Sequence, residues 1–376
     1  MEKEEKRYFT SRIIENLDSQ IRSLPPGAER NILFARKSIA LARHSLISEA
    51  KRIIQDLRAI NTAYEPRLSA WIMFAEGVVE HAATFDFARS RDRIIRAHLV
   101  GQAANDPALA GTAAAWLAYF DFVQGKYKDS RDYLEKAFAW STLDDSEARS
   151  RATMVLGFAF YFIGDLTEAK RWLQNARSHA VRSGDIAMQN TILFNSVALQ
   201  VSRLTLLDCT STIDPAELKF AVMSSQSAGN LNTALGIINQ PSMVPMQRAE
   251  LYVIEGKWSS AIEVLNAHLD SLVEEGQSKW VPKFFAQRAW CKAKVHDMTG
   301  ASTDISSALN TLDFCIDPDD LCVVHSRISS SARLIPDDEL ATKHDKLAKE
   351  YLDTLKDHQS IVKEYFTEIA NNLNPE

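Results

Sequence analysis

The chain has 376 residues, 46% of them hydrophobic and 24% charged, a composition that excludes an intrinsically disordered protein. With 13 Gly and 11 Pro it has few turn-forming residues, which favours helices over many short strands. The net charge of −6 excludes a globally basic surface, so nucleic acid is not an expected partner.

The first predicted helix covers about residues 4–23, where apolar residues recur at helical spacing until the sequence Pro25-Pro26-Gly27 stops it. We expect residues 1–28 to form an N-terminal capping helix. The N-terminus lacks the apolar core of a signal peptide, and no run of about 18 apolar residues occurs. The sequence therefore predicts no membrane segment and a cytoplasmic location.

A short sequence motif recurs along the chain, each time where one helical pattern ends and the next begins. Clear copies begin at Gly125, Gly164 and Gly256, and degenerate copies begin at Phe85 and Ser45. The first four copies in chain order recur with a period of about 40 residues, which is typical of stacked helical hairpins. We therefore predict an all-α array of antiparallel helix pairs over residues 29–207.

The most regular unit runs from Ser150 to Ser183. Gly164 can adopt the left-handed conformation that ends a helix without steric cost, so we expect the first helix of the pair to end there. Asp165 or Thr167 is suited to cap the helix that follows. Gly157 is small enough to let the two helices approach closely.

This unit resembles a tetratricopeptide repeat. The residues that carry the resemblance are Leu156, Gly157, Phe160, the turn Gly164-Asp165-Leu166, Ala169, Leu173 and Ala176. The resemblance implies a right-handed α-α superhelix, a tetratricopeptide-like solenoid. The usual period of that family is about 34 residues, shorter than the period of this chain. The longer units here are similar to arrays in the sensory domains of large bacterial transcription activators, which implies a bacterial regulator.

Regularity weakens between the two halves of the array. Residues 208–245 are predicted to form an irregular joint or extended turn, with Asp214 capping a helix that begins at Pro215. A second sub-array is expected over residues 246–335, because the repeat pattern returns around Gly256.

The last predicted helix is longer than any repeat helix and lies within residues 336–376. Its apolar stripe consists of Leu340, Leu347, Tyr351, Leu355, Val362, Phe366, Ile369 and Leu373. Two roles fit this stripe. We expect the helix to cap the final repeat, and the alternative is a homodimer formed through it.

No catalytic motif is present, because the sequence lacks GxSxG, Walker A, HExxH and the Rossmann glycine fingerprint. Cys322 and His325 share a helical face, but a core thiol beside a surface imidazole explains them. The four cysteines form no zinc-ligand pattern. The acidic pairs are explained by helix capping, so we predict no metal, no cofactor and no enzymatic activity.

The strongest binding candidates lie on the first helices of the pairs, which line the concave side of such arrays. Their side chains face away from the paired helix and form an aromatic surface with one arginine at its edge. They are Tyr119, Phe122, Arg151, Met154, Phe158, Tyr161, Phe162, Phe194 and Asn195. Such a surface suits a helix or an extended peptide, although rings at these positions also commonly pack between adjacent repeats.

The sequence therefore predicts a non-enzymatic interaction module, an adaptor, scaffold or regulatory subunit that binds another protein or a peptide. The alternative is a ligand- or peptide-sensing regulator that changes curvature on binding. An unrecognised enzyme is a remote alternative.

Overall fold

The fold is all-α. The computed structural model describes residues 11–62, 64–236 and 241–373, which form 18 α-helices and two short 3-10 segments. The structure is 84% helical and contains no strand within the described residues. The predicted all-α helical-repeat class is confirmed.

The helices follow one another with short connections. The first nine are α1 Arg12–Ser23, α2 Ala28–Arg43, α3 Ile47–Ile60, α4 Pro66–Thr84, α5 Phe87–Ala103, α6 Pro107–Val123, α7 Tyr127–Ala139, α8 Ser146–Phe162 and α9 Leu166–Ser183. The other nine are α10 Ile186–Thr210, α11 Pro215–Leu235, α12 Met243–Ile254, α13 Trp258–His268, α14 Ser271–Glu274, α15 Val281–Lys294, α16 Met298–Asn310, α17 Pro318–Leu334 and α18 Asp338–Asn372.

The recurring motif lies at a left-handed turn at all five predicted places. Backbone φ is positive at Ser45, Phe85, Gly125, Gly164 and Gly256. At Gly164 φ is +84°, and an added Cβ would meet no atom within 4 Å. The requirement for glycine there is therefore set by the backbone and not by crowding. The predicted end of α8 is confirmed.

The seam between α8 and α9 also follows the predicted pattern. A Cβ added to Gly157 would lie 2.6 Å from Leu173 Cγ, so only glycine allows this approach. Ala169 and Ala176 are buried at the same seam. The Asp165 carboxylate accepts a hydrogen bond from the backbone N–H of Glu168 at 3.1 Å and caps α9.

The chain divides into two compact units. The first contains the described residues of 11–192, 231–236 and 365–373, and the second contains residues 193–230 and 241–364. In the first unit the pairs α2/α3, α4/α5, α6/α7 and α8/α9 pack side by side, and α1 covers α2 through Ile13, Leu17 and Ile21. In the second unit α12 pairs with α13 and α15 with α16, and α15 packs on α17.

The predicted boundaries of the capping helices, sub-arrays and joint stay a prediction. Residues 4–10 of the predicted first helix lie outside the described residues. Helix α11 occupies much of the predicted joint, and the backbone N–H of Ala216 donates to the Asp214 carboxylate at 2.9 Å, as a cap requires.

The apolar stripe of α18 is largely covered by the chain itself. Leu355 and Val362 are buried in the second unit, and Phe366 and Ile369 are buried in the first. Phe366 lies 5.7 Å from Phe122, centroid to centroid. Capping of the final repeat by this helix stays a prediction, and a homodimer through the helix is not supported.

One described helix, α10, is long and apolar enough to cross a membrane by length and composition alone. A core helix passes the same test, and α10 carries polar side chains among its apolar ones. Gln200 and Thr205 are buried, and Arg203 forms an ion pair with Glu217. A single helix of this kind is only weak support for a membrane span.

Candidate functional site: two buried cations on first helices

The predicted binding residues of the first unit separate by burial. Met154 has no exposed surface, and Phe158 is only 3% exposed, so both pack inside the unit. Phe122 and Arg151 are also buried, whereas Tyr119, Tyr161 and Phe162 are half-buried. The half-buried rings and the small exposed part of Arg151 are the predicted residues that an external molecule can touch.

The two remaining predicted residues, Phe194 and Asn195, lie in the second unit on α10 and are half-buried. Phe194 packs against the apolar cluster formed by α12, α13 and α15. The predicted set is therefore divided between the two units, and its role in binding stays a prediction.

Arg151 is the least expected side chain of the set, because it is a cation with 4% exposure. Its guanidinium carbon lies 3.6 Å from the centroid of Trp116 and 5.4 Å from that of Tyr119. One Nη donates weakly to Met188 Sδ at 3.8 Å. Within the described residues Arg151 forms no ion pair with a carboxylate. Aromatic faces thus provide the main compensation for its charge.

The charges around Arg151 do not neutralise it. Burial and, to a smaller extent, the nearby cation of Arg43 lower the pKa of Arg151 to about 9, while Asp185 acts in the opposite sense. Asp185 is already paired with Arg43. Because a pKa of about 9 still leaves Arg151 protonated at neutral pH, the site holds an uncompensated positive charge.

The Arg151 charge also affects a neighbouring imidazole. His81 is buried among aromatic rings, with its own ring centroid 4.7 Å from that of Phe120. Burial lowers the pKa of His81 to about 3, and Arg151 contributes to the lowering. His81 is therefore neutral at physiological pH and adds no second charge here.

The second unit contains a buried cation at the equivalent repeat position. Each helical hairpin has a residue with positive φ in its turn, Gly164 in one and His296 in the other. Arg151 lies 13 residues before Gly164, and Lys283 lies 13 residues before His296. Lys283 Nζ lies 2.9 Å from Asp320 Oδ1 and 3.1 Å from a Glu250 carboxylate oxygen.

The positive charge of Lys283 is compensated by the neighbouring carboxylates. Burial alone would lower the pKa of Lys283, but Asp320 and Glu250 outweigh this effect and raise it. The neighbouring Asp319 has its pKa raised to about 7, first by burial and then by Asp320. Lys283 therefore stays protonated as part of a structural ion cluster.

Cys322 does not have the properties of an activated thiol. Burial raises its pKa to about 11, so the thiol stays protonated at neutral pH. His325 is buried rather than at the surface, and its Nδ1 lies 2.8 Å from Nδ1 of His344. The expected surface position of this imidazole was wrong, because α18 covers it. No group of three or more potential ligands suited to a metal ion occurs among the described residues.

A cavity of about 310 Å³ lies in the first unit, and Arg151 is not among the residues of its wall. Its wall includes Arg36 of α2, Arg67 and Trp71 of α4, and Asp106 at the start of α6. Sequence reasoning missed this cavity, because a helical pattern gives the face of each residue but not the gaps between helices.

No protein-family model matches this sequence, and no curated protein matches it. Among solved structures, the chain is similar to a Rap protein. That protein was crystallised in complex with Competence and Sporulation Factor. The TM-score is 0.58 at 13% sequence identity, and the match covers 92% of each chain. The similarity shows the fold, a tetratricopeptide-like helical solenoid.

Proposed function

We propose that this chain is a non-enzymatic regulator that senses a peptide, bound through a carboxylate at Arg151. The observation that carries the proposal is the buried Arg151 guanidinium, which stacks on Trp116 and has no carboxylate partner among the described residues. A guanidinium recognises a carboxylate through two parallel hydrogen bonds. The half-buried Tyr119, Tyr161 and Phe162 provide ring surface for the rest of the peptide.

An unpaired buried charge is expensive, which is why its retention supports a ligand role. The fall in the pKa of Arg151 from its ordinary value to about 9 corresponds to a few kcal/mol, at about 1.4 kcal/mol per unit. Strongly shifted groups of this kind concentrate at functional sites. A ligand carboxylate would supply the missing counter-charge.

The similarity to a Rap protein complexed with Competence and Sporulation Factor supports a sensing role over that of a passive scaffold. The raised thiol pKa of Cys322 supports a non-enzymatic role. The repeat period, which is longer than that of standard tetratricopeptide units, supports placement with the arrays of bacterial cytoplasmic regulators.

The test is affinity selection from two libraries of short peptides that contain Asp and Glu, one with free C-termini and one amidated. Wild type should enrich peptides that carry a carboxylate, and the two libraries show whether it is terminal or in a side chain. Arg151→Met should lose this enrichment. Lys170→Met, which removes an exposed charge from α9, is the matched control and should bind as wild type does.

Enrichment of the same peptides by wild type and Arg151→Met would contradict the assignment of Arg151. An absence of any enriched peptide from wild type would contradict the peptide-sensing role itself.

A further inference from the structure

The first unit contains a second candidate site, separate from Arg151. Its cavity of about 310 Å³ lies between the C-terminal end of α1, the first half of α2 and the beginnings of α4 and α6. Ligand cavities commonly start at about 300 Å³, so this volume suits a small molecule and not a folded partner.

One carboxylate in the wall is fully occupied by structural bonds. Asp106 Oδ2 accepts from Arg67 Nε at 2.9 Å and from Trp71 Nε1 at 3.0 Å. Its Oδ1 accepts from the backbone N–H of Leu109 at 3.1 Å and caps α6. These donors outweigh burial and lower the pKa of Asp106. Asp106 therefore fixes Arg67 and Trp71 in place and has little capacity left to bind a ligand.

The guanidinium groups have donors to spare. Arg36 donates from one Nη to Glu147 at 2.9 Å, and this is one of the five N–H groups of an arginine. Arg67 uses its Nε on Asp106 and one Nη on Glu29. Among the described residues no hydrogen bond occupies the other Nη group of either arginine. The wall also contains the carboxylate of Glu29, which is exposed and paired with Arg67. The N–H groups that stay unused on Arg36 and Arg67 are the donors that an anion could bind.

The Arg36 guanidinium stays charged despite its burial. The carboxylate of Glu147 raises its pKa against the effect of burial. Its guanidinium carbon lies 5.8 Å from the centroid of Trp71. The stacking and the ion pair hold the guanidinium in one orientation beside the cavity.

The rest of the lining combines the polar Gln20, Ser23 and Glu29 with apolar side chains. Leu24, Ile32, Leu33 and Ala108 contribute side chains to the wall. Leu24 is 36% exposed and so offers apolar surface that the chain itself does not cover. The cavity wall therefore contains both guanidinium donors and apolar surface.

We infer that this cavity binds a small monocarboxylate with an apolar body, with its carboxylate on Arg36 and Arg67. A charge-assisted pair distinguishes a carboxylate from its neutral amide by about tenfold to a hundredfold in affinity. Burial of the apolar body against Leu24 and Leu33 provides the remaining affinity.

The probe is phenylacetate, with phenylacetamide as its neutral isostere, titrated into the full chain by calorimetry and thermal unfolding up to about 10 mM. Phenylacetate should bind and raise the melting midpoint, and phenylacetamide should bind at least about tenfold more weakly. Arg36→Met should abolish the difference. Arg22→Met, which removes an exposed charge at the end of α1, should bind as wild type does.

Two further variants keep the test valid if Arg36→Met is unstable. Glu147→Gln frees Arg36 from its ion pair, so phenylacetate should bind as tightly as to wild type or more tightly. Ala108→Leu fills the cavity but leaves both arginines, so binding should be lost. Arg151→Met should bind phenylacetate normally, because its site is separate.

Equal binding of phenylacetate by wild type, Arg36→Met and Ala108→Leu would overturn the proposal. So would no binding of phenylacetate by wild type up to that concentration. Loss of phenylacetate binding in Arg151→Met would assign the probe to the Arg151 site and also overturn the separate cavity site.

Discussion

The two units place a buried cation at the same repeat position and treat it in opposite ways. In the second unit Lys283 lies between Asp320 and Glu250, and its pKa is raised. In the first unit Arg151 stacks on Trp116 with no carboxylate partner among the described residues, and its pKa falls to about 9. The same scaffold position therefore serves structure in one unit and is left uncompensated in the other.

The comparison also shows that a cation is not required at this position. Met243 lies 13 residues before Gly256 on α12, and Val323 occupies the equivalent place on α17, both buried. An apolar side chain therefore fits between first helices here. The repeat itself therefore does not dictate a charge at this position of the first unit.

The largest expected effect comes from breaking the compensated cluster. Lys283→Met leaves Glu250 and Asp320 buried without a counter-charge, and we expect a loss of about 3–5 kcal/mol in the free energy of unfolding. Urea denaturation measures it. Lys219→Met, an exposed lysine on α11 in the same unit, is the control and should change stability by less than about 0.5 kcal/mol.

Replacing the whole cluster tests the cause of that loss. The triple variant Lys283→Met, Glu250→Leu, Asp320→Leu should recover most of the stability, because no unpaired charge remains. A triple variant as unstable as the single one would show that Lys283 acts through packing.

The next largest expected effect is a loss of stability in acid, caused by His325 of the second unit. Burial lowers the pKa of His325 from 6.5 to about 4, with a further contribution from His344. Below pH 6.5 the unfolded chain takes up a proton at this imidazole, and the folded chain does not until about pH 4. The free energy of unfolding should therefore fall as pH is lowered through that window, by up to about 3 kcal/mol.

Denaturation series of wild type and His325→Gln between pH 7 and pH 4.5 measure this contribution. The variant should lose less stability on acidification than wild type. Identical pH profiles would show that other groups are responsible, His81 of the first unit included, since its pKa is lowered to about 3.

Overpacking the contact between two paired helices should cost about the same stability in both units. Ala169 and Ala261 each lie five residues after the turn glycine of their pair, and both are buried. Leucine at either position should overpack the seam and cost about 1–3 kcal/mol. Thermal unfolding of the two variants should give similar losses, and a loss in one unit alone would show that the repeat geometry differs between them.

The sequence predicted what is local and periodic. Turn positions such as Gly164 and the seam residues Ala169 and Ala176 follow from spacing, because each helical pair repeats the same contacts. Arg151 was singled out from its face of α8. Its burial was not predicted, because it depends on how closely α6 approaches α8 and brings Trp116 over the guanidinium.

The Lys283 cluster was missed for a related reason. Glu250 lies on α12, Lys283 on α15 and Asp320 on α17, so the three groups are far apart in the sequence. Periodicity shows which face of a helix a residue lies on. Whether two charged side chains form an ion pair also depends on how far each helix is shifted along its axis relative to its neighbour. A comparison of equivalent repeat positions would have identified Lys283, like Arg151, as a candidate residue.

The most direct test of the central claim is the stability of Arg151→Met at pH 7. If Arg151 is an uncompensated charge kept for a ligand, methionine should leave the free energy of unfolding unchanged or raise it by about 1–2 kcal/mol, because lost cation–π attraction is offset by relief of the buried charge. Lys170→Met is again the control.

The pH dependence of the same pair of proteins sharpens this result. The pKa of Arg151 is about 9 in the folded chain and well above this in the unfolded chain, so wild type should gain stability relative to Arg151→Met as pH rises above 9. A variant equal to or more stable than wild type at pH 7, with this trend, is the predicted result. A loss at pH 7 as large as that of Lys283→Met would contradict the account and make Arg151 a structural cation.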